Sequence, residues 1–104
     1  MKLLTKAVEK SLPPLYSQEH NPDPIAKAHF FNPCGAGDWW ITEAGHEGDD
    51  YLMFGLCDIG MGYQELGYVS LNELKSIHTK PFGLGIERDM HWTPKPLSEI
   101  RKAR

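Results

Sequence analysis

The chain has 104 residues, 40% of them hydrophobic and 24% charged, with a formal net charge of −3. That length suits one domain with one core, and the composition excludes a disordered or collagen-like chain. No apolar run reaches the roughly 20 residues that span a bilayer, and two cysteines are too few for a disulfide framework.

The elements read in order along the chain. Thr5 is placed to cap a short helix running to about Leu12, with Leu4, Val8 and Leu12 at helical spacing. Pro13-Pro14 stops it. Residues 17–24 are polar and rich in turn formers, so they read as a loop. Residues 25–31 form a first predicted strand, 38–44 a second, 51–57 a third and 66–69 a fourth. Turns at 32–37 and 45–50 separate the first three. The run 51–57 is the most apolar, as a central strand covered on both faces would be. Ser70-Leu71-Asn72-Glu73 has the form of a capping box, and Leu71, Leu74 and Ile77 give the following helix a buried stripe. Residues 81–85 read as a loop, 86–92 as a last strand, and the basic end as a short helix. Connections this short favour antiparallel pairing. The expected fold is therefore α+β, a small antiparallel sheet of about four to five strands with two to three short helices, in a single domain over 1–104.

Several of these segments together resemble a known family. They are Met1-Lys2-Leu3-Leu4-Thr5, Leu12-Pro13-Pro14-Leu15-Tyr16, Thr42-Glu43 and Gly48-Asp49-Asp50-Tyr51. Further along come Phe54-Gly55, the run Glu65-Leu66-Gly67-Tyr68-Val69-Ser70-Leu71-Asn72-Glu73-Leu74, Ile86-Glu87-Arg88-Asp89, Pro94 and Pro96-Leu97-Ser98-Glu99. In these the chain resembles the bacterial family catalogued as domain of unknown function 2958. The resemblance implies a bacterial or phage origin, often on plasmids and integrated elements. It brings no activity, ligand or catalytic residue with it.

Charge is unevenly distributed. Residues 28–74 hold eight acidic side chains and no Lys or Arg, while 75–104 hold seven basic against three acidic. An acidic face and a basic patch follow from such a pattern. Glu43, Glu47, Asp49, Asp50 and Asp58 are the candidate binding residues, expected together on one surface around the 45–50 turn. Arg88, in Glu87-Arg88-Asp89, is the candidate partner anchor.

Catalytic spacings are weak. His46-Glu47-Gly48-Asp49-Asp50 could hold a divalent ion but lacks the order of a calcium loop, so a solvated turn is the preferred reading. Cys34, Cys57, His29 and His78 lack zinc-ligand spacing. No glycine cluster forms a phosphate loop. Neighbouring strand residues point to opposite faces, so only one of Trp39 and Trp40 faces the core; the other is covered by a helix or exposed as a binding aromatic.

The first functional reading is a non-enzymatic accessory protein of a mobile element, for example one of anti-defence type, whose acidic face meets a protein with a basic surface. No cofactor or metal is expected, and the chain is expected to be cytoplasmic, monomeric or weakly dimeric. The runner-up readings are a small metal-dependent enzyme using the 43–58 cluster, and nucleic-acid binding through the basic tail.

Overall fold

A computed structural model describes residues 2–79 and 84–102. Thr5 is extended and its hydroxyl accepts the Val8 N–H at 3.2 Å, which opens helix α1 (Lys6–Ser11). The chain then forms strands β1 (Ile25–Ala26), β2 (Ala28–Phe31), β3 (Asp38–Glu47), β4 (Asp50–Asp58) and β5 (Glu65–Ser70). Helix α2 (Leu71–Ser76) begins on a complete capping box. Ser70 Oγ accepts the Glu73 N–H at 3.0 Å, and Glu73 Oε1 accepts the Ser70 N–H at 3.1 Å. Then follow β6 (His78–Thr79), β7 (Leu84–Gly85), β8 (Glu87–Arg88), β9 (Lys95–Pro96) and helix α3 (Leu97–Lys102).

The main sheet is antiparallel, in the order β5-β4-β3-β2-β8, beside two small pairs, β1-β9 and β6-β7. This is the expected α+β class. Four local expectations change. The strand expected over 25–31 divides at Lys27: its first part pairs with β9 and its second with β3. The expected 45–50 turn shortens to Gly48-Asp49, because Glu47 pairs with Asp50 and Gly48 takes the positive φ, 59°, that tight hairpin turns favour. The strand expected over 86–92 is only Glu87–Arg88. Asp89 turns the chain there, its Oδ1 accepting the His91 N–H at 3.0 Å and its carbonyl the Trp92 N–H at 3.3 Å. Of the loop expected over 81–85, residues 81–83 lie outside the described residues and Leu84–Gly85 forms β7.

Each face of the sheet has its own apolar cluster. Phe30, Trp39, Ile41, Ala44, Met53 and Val69 form the inner face, packed by Leu3, Leu12, Leu71 and Leu74 from α2, the α1 flanks and the N-terminal segment. Trp40 and Leu56 lie on the outer face under Leu97 and Ile100 of α3, with Ala26 and Trp92 alongside. So Trp39 and Trp40 are both buried, on opposite faces, and a helix covers the second.

A β-bulge lies in the middle of β3. Ile41 pairs with Gly55 and Glu43 with Phe54, leaving Thr42 as the extra residue. Strict alternation would put Trp39, Ile41 and Glu43 on one face. The bulge keeps Trp39 and Ile41 on the inner face, turns Glu43 outward, and returns Ala44 to the inner cluster. Thr42 is buried and its hydroxyl donates to the Phe54 carbonyl at 3.2 Å. Opposite, a Cβ on Gly55 would fall 1.8 Å from the Trp40 carbonyl oxygen. The close crossing therefore requires glycine. Gly55→Ala should cost about 2–4 kcal/mol by forcing backbone apart in a packed sheet. Superimposable urea melts for mutant and parent would contradict this crossing.

Candidate functional site

The outer face is only partly covered. β2 reaches only as far as Ile41, so among the described residues the 43–47 half of β3 has no strand on that side. The Pro13–Tyr16 segment fills the gap. Ala44 donates its N–H to the Pro13 carbonyl at 3.0 Å, and the Tyr16 N–H donates to Glu43 Oε2. Tyr16 holds φ at 69°, uncommon for a side chain of its size. Leu15 packs on Gly45, where a Cβ would lie 3.3 Å from it.

Between this segment, α3 and the edge strand β5 lies an open groove of about 650 Å³. Glu43 and Thr42 form its floor, with Phe54, Tyr68 and Leu66 along one side. Tyr16 and the 18–24 loop form another side, and Leu97, Ser98 and Arg101 of α3 close it. Asp23 fixes the loop to α3 by accepting the Ser98 N–H at 2.9 Å and the Ser98 hydroxyl at 2.6 Å. Those two bonds, the hydroxyl first, hold the Asp23 carboxyl below the usual carboxylate range despite partial desolvation.

Glu43 is only 4% exposed, whereas Tyr16, Leu66 and Tyr68 are about half exposed, at 54%, 49% and 52%. The Phe54 and Tyr68 ring centroids are 4.7 Å apart with the planes inclined by 58°. Desolvation, then the neighbouring Tyr16, Glu43 and Glu19, push the Tyr68 phenol upward, so it stays a neutral hydrogen-bond donor. The groove thus holds a buried carboxylate under half-exposed aromatic rings.

The other expected binding residues do not join Glu43. Glu47 and Asp49 are exposed at the hairpin tip. Asp50 starts β4 and serves the backbone. It accepts the Tyr51 N–H at 2.7 Å and the Asn72 N–H at 3.1 Å, supporting the first turn of α2. The Tyr51 bond is the largest influence keeping its carboxyl low. Asp58 is eight residues further along β4, about 25 Å from the tip by strand rise. The single acidic surface expected from sequence is therefore corrected to separate sites, because β4 is long and the bulge turns Glu43 onto the outer face, at the floor of the groove. Arg88 is likewise engaged: its Nη1 donates to the Lys2 and Leu3 carbonyls, binding the N-terminal segment to β8.

The 43–58 metal set does not converge either. His46 is at the tip, bonded to Glu9 of α1, and among the described residues no three His, Cys, Asp or Glu side chains come together as metal ligands. Burial, then Glu65, pushes the Cys57 thiol up to about 11, which makes it a poor nucleophile.

Sequence reasoning missed a second cluster, at the other edge of the outer face. His29 Nδ1 lies 3.0 Å from Asp89 Oδ2 and its Nε2 lies 2.8 Å from Asp38 Oδ1. The ring stacks on Trp40, its cross-strand partner, at 5.2 Å with 6° between planes, and Trp92 leans on it at 5.2 Å. With both nitrogens engaged, His29 is a clamp between β2, β3 and the 89–92 turn. Trp92 Nε1 donates to the Ala26 carbonyl at 2.9 Å, and Lys95 Nζ lies 4.8 Å from the Trp92 ring centroid. This set seats the segment leading to α3, and so the groove's far wall.

Burial opposes the charge on Asp89, but the His29 and His91 N–H bonds outweigh it and hold its carboxyl below the usual range. A carboxyl depressed in the folded state stabilises the fold above its unfolded pKa. That contribution is lost as pH falls through the folded value. Urea midpoints should therefore drop between about pH 5 and about pH 3, and less steeply in Asp89→Asn. An identical pH slope in the variant would show that the clamp does not contribute.

Among the described residues, no helix is long and apolar enough to cross a membrane. Searches of curated proteins and of solved structures each return no match. Residues 2–104 match the family described as Protein of unknown function (DUF2958), and the chain belongs to that family.

Proposed function

We propose that this protein is a non-enzymatic binding module that docks on a protein with a basic surface, and that the groove above Glu43 is its docking site. The observation carrying this reading is the Glu43 carboxylate, buried on the floor of an open groove between aromatic walls. Among the described residues, three carboxylates, those of Glu19, Asp23 and Glu43, line the groove against one guanidinium, that of Arg101. The wider 28–74 stretch lacks Lys and Arg altogether. A negative field of this kind steers a basic partner inward and makes the encounter salt-dependent. Half-exposed tyrosines suit a contact surface, since they offer large rigid area and a polar tip. The proposed setting is the bacterial cytoplasm, as an accessory, anti-defence product of a mobile element; the family resemblance supports that setting.

The test is affinity capture from the native host, followed by binding measurements with the captured partner. Tyr68→Ser and Glu43→Gln should each weaken binding roughly tenfold, and raised salt should slow association. A paired change at the hairpin tip, Glu47→Lys with Asp49→Lys, should leave affinity within about threefold, since exposed charges contribute little. Binding that tolerates both groove variants, or is lost at the hairpin tip instead, would overturn the docking site.

A further inference from the structure

Resting on that docking reading, we infer that the groove floor is a receptor for one arginine side chain of the partner, with Glu43 as counter-ion and the Tyr68 and Tyr16 rings as its walls. A carboxylate can accept about four hydrogen bonds. Among the described residues Glu43 receives one, from the Tyr16 N–H on Oε2. Although the residue is 4% exposed, its second oxygen is not cut off from solvent, so it opens to the groove, where a charge-assisted donor can replace water. The bulge at Thr42 places this group beside Phe54 and Tyr68 rather than in the inner core.

The shape of the surroundings selects between cations. Tyr68 and Phe54 are cross-strand partners on the same face as Glu43, so their rings flank the approach to its carboxylate. A guanidinium is planar and weakly hydrated. It can lie against a ring while its edge donates to a carboxylate. A lysine ammonium is a compact, strongly hydrated charge, and it would have to shed water between apolar walls without the stacking contact. Phosphate or nucleic acid would meet three carboxylates and is disfavoured by the same charge.

Arg101 of α3 lines the same groove and is its resident cation. It is exposed, and its charge acts on Asp23. It repels an incoming guanidinium, so its removal should strengthen binding while removal of Glu43 weakens it. General attraction to an acidic protein gives the same two signs; a built site shows instead as a far larger loss for Glu43→Gln than for neutralising an exposed carboxylate such as Asp49.

The experiment is an NMR titration of the full chain with three blocked pentapeptides, acetylated and amidated, that differ only at a central arginine, lysine or citrulline among glycines. The arginine peptide should shift the amide resonances of Tyr16, Glu43, Phe54 and Tyr68 saturably. The lysine peptide should bind several-fold more weakly, and citrulline should give no saturable shift. Glu43→Gln should lower the arginine affinity about tenfold, and Arg101→Gln should raise it about two- to threefold. If Glu43→Gln fails to fold, Tyr68→Ser should give the same loss. Equal binding of citrulline, shifts centred on the hairpin tip, or no loss in these groove variants would overturn the arginine site. If the captured partner depends on the groove but the arginine peptide does not bind, the arginine site fails and the docking reading stands. If partner binding ignores the groove, the docking reading itself fails.

Discussion

Thr42 has no partner across the sheet, and the arrangement of both faces follows from that one extra residue. Strand side chains alternate, so an uninterrupted β3 would bury a glutamate among Phe30, Ile41 and Met53. The bulge removes the conflict by shifting the phase between Ile41 and Glu43. Apolar residues on either side of it stay in the inner cluster, while the carboxylate goes to the opposite face. The Thr42 hydroxyl takes up the Phe54 carbonyl, and Gly55 allows the Trp40 carbonyl to come close. The site is thus a product of the same local geometry that keeps the core apolar.

Around that strand, covering elements compete for the outer face. Helix α3 takes the part above Trp40 and Leu56. The His29 clamp anchors the approach to α3 from one edge, and Asp23 anchors its first turn from the other. What remains open is the stretch over Glu43, Phe54 and Tyr68, next to β5, the edge strand of the main sheet among the described residues. Arg88 meanwhile holds the N-terminal segment against β8. Its role is to close the inner core, so a conspicuous cation in a conspicuous tripeptide turns out to serve packing.

The sheet was legible in the sequence because period-two patterning and turn residues mark its strands, and the Ser70 box announced α2 by its own chemistry. The acidic surface was misjudged for a reason that charge counting cannot see. Linear proximity places Glu43 beside Asp49 and Asp50, but pairing turns one onto the groove floor and puts another under α2. A signal for the bulge was nonetheless present. Trp39, Ile41 and Glu43 at strict alternate spacing put a charge in line with two apolar core residues, and only a register break relieves that. The His29 clamp had no such signal. Its carboxylates come from Asp38, nine residues away, and Asp89, sixty residues away, and only the folded sheet brings them together.

Everything proposed for the groove depends on which way Glu43 faces, and that reduces to the pairing of β3 with β4. Cross-strand nuclear Overhauser contacts in isotope-labelled protein read this pairing directly. The structure requires Ile41 opposite Gly55 and Glu43 opposite Phe54, with Thr42 outside the ladder and the Glu43 side chain on the same face as Phe54. A regular ladder, with Thr42 opposite Phe54 and Glu43 opposite Met53, would send the carboxylate into the inner core and contradict the account.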